Sequence, residues 1–208
     1  MRVADSLHRP EQGVEPVTEP RKTIAMDRLN LAGLRRTDRR WVIDVIDGPN
    51  MRHLGKRDRR LFGTIGSIEE LQALVTDFGA ALGVEARVFA SDHEGAILEY
   101  IHASSRTADG YIVDPGGLTT VSQGWPHALL ETRKPVVEVA FYNIVANQEA
   151  SVFTKTAIGQ VIGLREYSYV AALLALVLSL DDETFLHPDA QSSEATRKDG
   201  TPYSFRLG

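Results

Sequence analysis

The chain has 208 residues, of which 43% are hydrophobic and 25% are charged, a balance typical of one soluble globular domain with tails. It contains no cysteine, which excludes a disulfide framework, a thiolate metal site and a cysteine nucleophile and suits a reducing cytoplasm. The net charge of -5 argues against nucleic acid as the main partner.

Residues 1–38 are predicted to form an N-terminal extension that is partly disordered. Pro10, Pro16 and Pro20 stand among alternating charges, and no sustained apolar period occurs before residues 26–34, which favour one short helix. The main domain is therefore predicted to begin at residue 39.

The first elements of that domain are a strand and a capped helix. Residues 41–46 are apolar and largely β-branched, which predicts a buried strand, and an Asp-Gly-Pro turn ends it. Ser67 and Glu70 have the spacing of a capping box that opens a helix, and Gly83 closes that helix. Further strands are predicted at 84–90, 110–114, 135–141 and 157–164, and further helices at 95–105, 119–133 and 166–180.

Residues 182–208 contain little to bury and are predicted to form a flexible C-terminal tail. Within residues 39–181, strands and helices alternate, which implies an α/β domain with a parallel sheet and helices on both faces. Ligands of such sheets bind beyond the carboxyl ends of the strands. The segments to inspect for function are 47–63, 91–95, 114–120 and 140–147.

The sequence has no segment typical of export or membrane insertion. The longest apolar run, residues 169–178, is shorter than the roughly 18 residues that a membrane-spanning helix needs. The first residues lack the apolar core of a signal peptide. We therefore expect a cytoplasmic protein with no membrane partner.

Each of the four strand exits carries a motif. The first reads Asp47-Gly48-Pro49-Asn50, then Leu54-Gly55, Arg57 and Leu61-Phe62-Gly63. The others read Ser91-Asp92-His93-Glu94-Gly95, Asp114-Pro115-Gly116-Gly117-Leu118-Thr119 and Pro135-Val136-Val137-Glu138-Val139. In this order, over residues 41–180, they resemble the signatures of the type II 3-dehydroquinate dehydratases.

The resemblance implies a flavodoxin-like three-layer sandwich with a five-stranded parallel sheet, assembled from trimers into a homo-dodecamer. It implies no metal and no organic cofactor, and no histidine and carboxylate spacing in the chain suggests a metal site. The family removes water from a cyclic polyhydroxy ketone acid through an enolate. That reaction requires a base, an acid and an oxyanion stabiliser within hydrogen-bonding reach.

The chain departs from the family at the residues that move protons. Phe62 stands in the position of the basic tyrosine and Ala140 in that of the acidic histidine, and neither side chain can exchange a proton. Losing an acid or a base costs about 10²–10⁴-fold each, so we expect very weak or absent turnover of 3-dehydroquinate. The other departures are Asp114 for asparagine, Thr120 for histidine, Tyr142 for serine, and Asn147 and Ser151 for arginines.

Three polar residues are the candidates for a catalytic role. Asp114 and Glu138 lie near strand ends, where a raised pKa would suit an acid or a base, although each could instead hold loop backbone. Tyr142 offers a phenolic hydroxyl to the pocket, or it only changes the pocket's shape.

A larger group is expected to contact a small-molecule substrate. Arg57 belongs to a basic segment that also contains Arg52, Lys56, Arg59 and Arg60. This segment would attract an anionic ligand and could close over it as a lid, whereas a charge run of this kind is usually a solvated face. His93 begins a helix and could instead cap its backbone or bridge subunits. The predicted substrate-binding residues are Asn50, Arg57, Phe62, Asp92, His93, Gly116, Gly117, Ala140, Phe141 and Asn143.

Three functional hypotheses follow. The first is a divergent enzyme of the dehydroquinase fold, a dehydratase-like carbon-oxygen lyase or a cyclase acting on a different small molecule in specialised metabolism. The second is a non-catalytic homologue that binds a ligand or a partner protein. The third is a weak 3-dehydroquinate dehydratase.

Overall fold

A computed structural model describes residues 30–186 of the chain. Its centre is a sheet of five parallel strands in the order β2-β1-β3-β4-β5, so the predicted flavodoxin-like α/β fold is confirmed. The strands are β1 (Val42–Asp47), β2 (Glu85–Ala90), β3 (Gly110–Asp114), β4 (Val136–Ala140) and β5 (Gly159–Ile162). The α-helices are α1 (Arg59–Phe62), α2 (Ile68–Ala81), α3 (Glu94–Ser104), α4 (Gly124–Thr132), α5 (Tyr167–Leu180) and α6 (Glu183–Leu186). Short 3₁₀ helices lie at Ala32–Leu34, Met51–Lys56, Gly116–Leu118 and Val152–Lys155.

Helices cover both faces of the sheet and divide the core in two. On β1, Ile43 and Val45 pack in the cluster that contains α2 and α5, whereas Ile46 packs in the cluster that contains α3 and α4. Successive side chains of a strand point to opposite faces, and both faces are apolar here. This explains why β1 reads as a continuous hydrophobic run rather than an alternating one.

The start of α2 shows a modified capping box. The Ser67 hydroxyl accepts a hydrogen bond from the Glu70 N–H at 3.2 Å, as the spacing predicts. The Glu70 carboxylate, however, accepts from the Gly66 N–H at 2.6 Å, one residue further back than in a standard box. Gly83, at φ +75°, follows the last turn of the helix and confirms the predicted stop.

The prediction of a helix over residues 119–133 was wrong at its start, since α4 begins at Gly124. Pro126 is the third residue of α4, where a missing N–H removes no intrahelical bond. A helix that began at residue 119 would place the proline ring against the Ser122 carbonyl in the helix interior. Instead, the Ser122 hydroxyl accepts from the Trp125 N–H at 3.3 Å.

Asp181, at the end of α5, binds the chain segment that precedes β1. Its carboxylate accepts from Arg35 at 2.7 and 2.9 Å, from the Arg36 N–H, and from the side chains of Thr37 and Trp41. Burial opposes the charged form, but these donors outweigh it and hold the pKa of Asp181 well below its usual range. The segment before β1 is thereby held against the sheet domain.

The predicted extensions lie mostly outside the described residues. The structure describes neither residues 1–29 nor residues 187–208. The described part of the helix predicted over 26–34 begins at residue 30 and contains the short 3₁₀ helix Ala32–Leu34. The start of the predicted tail forms α6. Between residues 30 and 186, no helix has the length and apolar character needed to cross a membrane.

Candidate active site

A cavity of about 110 Å³ lies beyond the carboxyl ends of β1, β3 and β4. Its lining brings together many of the predicted site residues: Asn50, Arg57, Phe62, Asp114, Gly116, Gly117, Ala140, Phe141 and Tyr142. Met51, Thr119 and Ile144 complete the lining and were not singled out from the sequence. The structure does not bring Asp92, His93, Glu138 or Asn143 into it.

Two turns that touch each other form one side of the cavity. Asn50 has a left-handed backbone at φ 75°, and its N–H donates to the Asp92 carboxylate at 3.0 Å. The Gly117 N–H donates to the Pro49 carbonyl at 3.0 Å, and a Cβ at Gly116 would lie 2.2 Å from that carbonyl oxygen. The glycines therefore allow the turns to meet, and the exposed Asp92 supports the Asn50 turn from outside the cavity.

Another part of the lining consists of three aromatic rings and the Arg57 guanidinium. The Phe62 ring centroid lies 6.0 Å from that of Phe141 and 5.9 Å from that of Tyr142. The Arg57 guanidinium carbon lies 3.6 Å from the Phe62 centroid, a cation–π contact. Burial lowers the pKa of Arg57, and the nearby Asp114 opposes that shift. Phe62 thus holds the Arg57 guanidinium in place and carries no exchangeable proton.

Tyr142 keeps its proton and directs it away from the cavity floor. Its hydroxyl donates to the Glu149 carboxylate at 2.8 Å. Burial and this hydrogen bond raise the pKa of Tyr142 to about 12. The phenol is therefore neutral at physiological pH, and Glu149 is a partner that sequence reasoning did not identify.

Asp114 supplies the titratable group on the cavity floor. Only 4% of the residue is exposed, and its carboxylate accepts from the Gly116 N–H at 3.0 Å and contacts the Tyr169 hydroxyl at 3.0 Å. Burial, supported by the charge of Glu138, raises the pKa of Asp114 to about 7, although its hydrogen bonds and Arg57 act in the other direction. Asp114 is therefore partly protonated and partly ionised near neutral pH.

A second buried carboxyl group lies behind Asp114. Asp47 and Asp114 are register partners at the ends of β1 and β3, and the Tyr169 hydroxyl lies 2.5 Å from an oxygen of Asp47. Burial and then the charge of Asp114 raise the pKa of Asp47 to about 8, while Tyr169 lowers it. In the sequence, Asp47 stands out only as the first residue of the first exit motif. The signal available was an acidic residue at the end of each of two neighbouring parallel strands.

Glu138 is buried outside the cavity. Its two carboxylate oxygens contact the Ser151 hydroxyl and the Gln160 amide, each at 2.5 Å. Burial raises its pKa, and these two hydrogen bonds lower it. Glu138 therefore links β4 to β5 and to the loop before it through two side chains, whereas the alternative to catalysis predicted from the sequence was a contact with loop backbone.

The remaining predicted residues serve local turns. His93 precedes α3 without a side-chain cap, and its N–H donates to the Ser91 hydroxyl at 3.0 Å. The Asn143 amide oxygen accepts from the Ala146 N–H at 3.1 Å. Across residues 30–186, no cluster of three His, Asp or Glu side chains is placed to hold a metal ion.

Comparison with known proteins agrees with this geometry. The model of the family Dehydroquinase class II matches residues 41–177. The 3-dehydroquinate dehydratase of Halothermothrix orenii is 38% identical over 138 residues, covering 65% of this chain and 93% of that protein. The 3-dehydroquinate dehydratase of Thermotoga maritima is 38% identical over 143 residues, covering 67% of this chain and 97% of that protein.

A solved structure is similar over the same region. The crystal structure of the type II dehydroquinase from Butyrivibrio crossotus gives a TM-score of 0.63 at 27% identity and covers 66% of this chain and 97% of that one. The family model, the relatives and the shared fold agree over the part of the chain that forms the cavity. This chain belongs to the class II dehydroquinase family.

Proposed function

We propose that the protein is a dehydratase-type lyase or a cyclase that acts on a small molecule other than 3-dehydroquinate, in specialised metabolism, with Asp114 as its acid and base. The relatives named 3-dehydroquinate dehydratase support an elimination of water. The observation that carries the proposal is a buried carboxyl group on the cavity floor whose pKa is raised to about 7. Such a group can take up a proton and return it at neutral pH.

A different substrate is supported by the residues that stand where the family's proton-transfer groups are expected. Phe62 carries a hydrocarbon ring that supports Arg57, and Ala140 carries a methyl group. With no acid or base at either position, the family's usual reaction would lose about 10²–10⁴-fold for each missing group. The remaining titratable group on the floor, Asp114, approaches the cavity from β3.

Asp114 would carry both proton transfers of an elimination. In its ionised form it takes a proton from the carbon next to a carbonyl group, and the electron pair moves to the carbonyl oxygen. Arg57 and Asn50, which line the cavity, would stabilise that negative charge. The electron pair of the enolate then returns to form a carbon–carbon double bond and breaks the carbon–oxygen bond of a hydroxyl group, which takes the proton of Asp114 and leaves as water. In a cyclase, the same enolate would attack a second carbonyl carbon of the substrate, the pair of that C=O bond would move to its oxygen, and this oxygen would take the proton from Asp114.

The lining also limits what the substrate can be. A volume of about 110 Å³ suits a small molecule, and the rings of Phe62, Phe141 and Tyr142 favour an apolar face on it. Arg57 favours one anionic group or a developing oxyanion. We therefore expect a small hydroxy ketone or hydroxy acid with an apolar side.

The test is turnover by the wild-type protein and by Asp114→Asn. A panel of hydroxy ketones and hydroxy acids is incubated with each protein, and loss of water is followed by mass spectrometry. Asp114→Asn should lower kcat by about 10²–10⁴-fold. Because Asp114 must be ionised to act as the base, kcat/KM of the wild type should rise with pH through about 7.

Glu138→Gln is the matched comparison, because it alters a buried carboxyl group outside the cavity and should have a smaller effect than Asp114→Asn. Equal turnover by wild type and Asp114→Asn would refute the proposal. Ligand binding by the wild type without any turnover would favour a non-catalytic homologue.

We also propose that the protein forms a cytoplasmic homo-oligomer built from trimers, a dodecamer. Membership of the family supports this assembly. Sedimentation velocity of the full chain should give a particle with the mass of twelve chains, and a monomer across the whole concentration range would contradict it.

A further inference from the structure

We propose that Asp47, Tyr169 and Asp114 form a buried proton-sharing unit, in which one proton is held between the two carboxyl groups and the Tyr169 hydroxyl passes it towards the cavity. Its catalytic part rests on the proposed function of Asp114, whereas the sharing of the proton does not. Asp47 and Tyr169 are each 1% exposed, and Asp114 is 4% exposed, so water has little access to the unit.

The Tyr169 hydroxyl has too few hydrogen atoms to donate to both carboxyl groups. The Tyr169 oxygen lies 2.5 Å from Asp47 Oδ1 and 3.0 Å from Asp114 Oδ2. A phenol has one proton, so it can donate to only one of these two oxygens. If both carboxyl groups were ionised, the other contact would place two unprotonated oxygens against each other in a buried site. A proton on one carboxyl group satisfies both contacts, because that group donates to the Tyr169 oxygen.

The charges around Asp114 also favour one retained proton. Asp114 is influenced by three further groups: Glu138 on β4, Tyr142 after β4 and Arg57 on the lid. Among residues 30–186, the charge of Glu138 raises the pKa of Asp114, the charge of Asp114 raises that of Asp47, and Arg57 acts on Asp114 in the other direction. Full ionisation of all three carboxyl groups in a buried site is therefore unfavourable. The pKa values of Asp47 and Asp114, raised by burial to about 8 and about 7, agree with one retained proton at pH 7.

The hydrogen bonds of Tyr169 allow the shared proton to lie on either Asp47 or Asp114. In the state that leaves Asp114 ionised as the base, Asp47 holds the shared proton and donates it to the Tyr169 oxygen, and the Tyr169 hydroxyl donates to Asp114. When Asp47 passes its proton to the Tyr169 oxygen while Tyr169 passes its own to Asp114, Asp114 becomes the protonated group that can act as the acid. Tyr169 is neutral before and after this step, and the negative charge moves from Asp114 to Asp47. Asp47 and Tyr169 are thus positioning residues that set the protonation of Asp114.

The experiment is a ¹³C NMR titration of the full chain labelled at the aspartate carboxyl carbons, recorded for wild type, Asp47→Asn and Tyr169→Phe. In the wild type, two carboxyl signals should titrate together between about pH 6 and 9. Asp47→Asn should remove one of these titrations and leave that of Asp114. Tyr169→Phe should move both to higher pH, because the hydroxyl lowers both pKa values.

Tyr111→Phe is the matched control. Tyr111 is fully buried on β3 on the other face of the sheet, where its hydroxyl contacts Ser104 at 3.4 Å. This variant should leave both titrations where they are in the wild type. Two signals that are already carboxylate-like at pH 6, or a Tyr169→Phe spectrum that titrates like the wild type, would overturn the proposal. Since the titration needs no substrate, its outcome is independent of whether Asp114 catalyses a reaction.

Discussion

Replacing Asp47 by Asn should make the protein more stable at alkaline pH. The pKa of Asp47 is raised from 3.8 to about 8 by burial and by Asp114. A group whose pKa is higher in the folded state favours folding fully below its unfolded pKa, and this contribution is lost as pH rises through the folded pKa. The wild-type free energy of unfolding should therefore fall between about pH 4 and pH 8.

The size of this change in unfolding free energy follows from the shift in the pKa of Asp47. A difference of about 4 pKa units corresponds to at most about 6 kcal/mol, since each unit is about 1.4 kcal/mol. Asn has nearly the same shape as Asp but does not ionise. The Asp47→Asn variant therefore lacks this pH-dependent loss of unfolding free energy. The two proteins should differ little near pH 4, and the variant should be several kcal/mol more stable near pH 9.

Urea unfolding at a series of pH values measures this difference. The control is Asp77→Asn, which removes an exposed carboxyl group of α2 and should change the free energy of unfolding by no more than about 0.5 kcal/mol at any pH. A difference between wild type and Asp47→Asn that stays constant from pH 5 to pH 9 would refute the argument.

Two further substitutions test the packing around the sheet. Asp181→Asn should lower the free energy of unfolding at pH 7 by about 3–5 kcal/mol, because Arg35, whose side chain is 5% exposed, loses its ion-pair partner. The pKa of Asp181 is lowered on folding, so this contribution is present above about pH 4 and declines as pH falls; equal stability of wild type and variant at pH 7 would contradict it. Gly116→Ala should cost more than about 1 kcal/mol in urea unfolding, because its φ of +54° and the Pro49 carbonyl leave no place for a methyl group. Gly95→Ala is its control, since a Cβ there meets nothing within 4 Å.

The sequence predicted the sheet because the signals that define it are local. The apolar run of β1, the Ser67 cap of α2 and the glycine at position 83 each depend on neighbours within a few residues. The exit motifs also placed Asn50 and Asp114 at one edge of the sheet correctly. Parallel strands bring their carboxyl ends to the same edge, so topology alone explains this success.

The parts that could not be predicted depend on contacts between distant residues. Tyr169 is separated by 122 residues from Asp47 and by 55 from Asp114, and no local period of α5 indicates that its hydroxyl meets both. Glu138 lies two residues before the end of β4, and its partners Ser151 and Gln160 come from later segments. Its place outside the cavity therefore follows from packing that the sequence pattern does not display.

Proton transfer by Asp114, rather than by the residues at positions 62 and 140, is the proposal on which this function rests. Its most direct test is the rate of 3-dehydroquinate dehydration by the purified full chain, measured beside the Thermotoga maritima relative under the same conditions. Because Phe62 and Ala140 cannot exchange protons, we predict a rate at least about 10⁴-fold below that of the relative. A rate within about ten-fold of the relative, which corresponds to about 1.4 kcal/mol of transition-state stabilisation, would contradict the account.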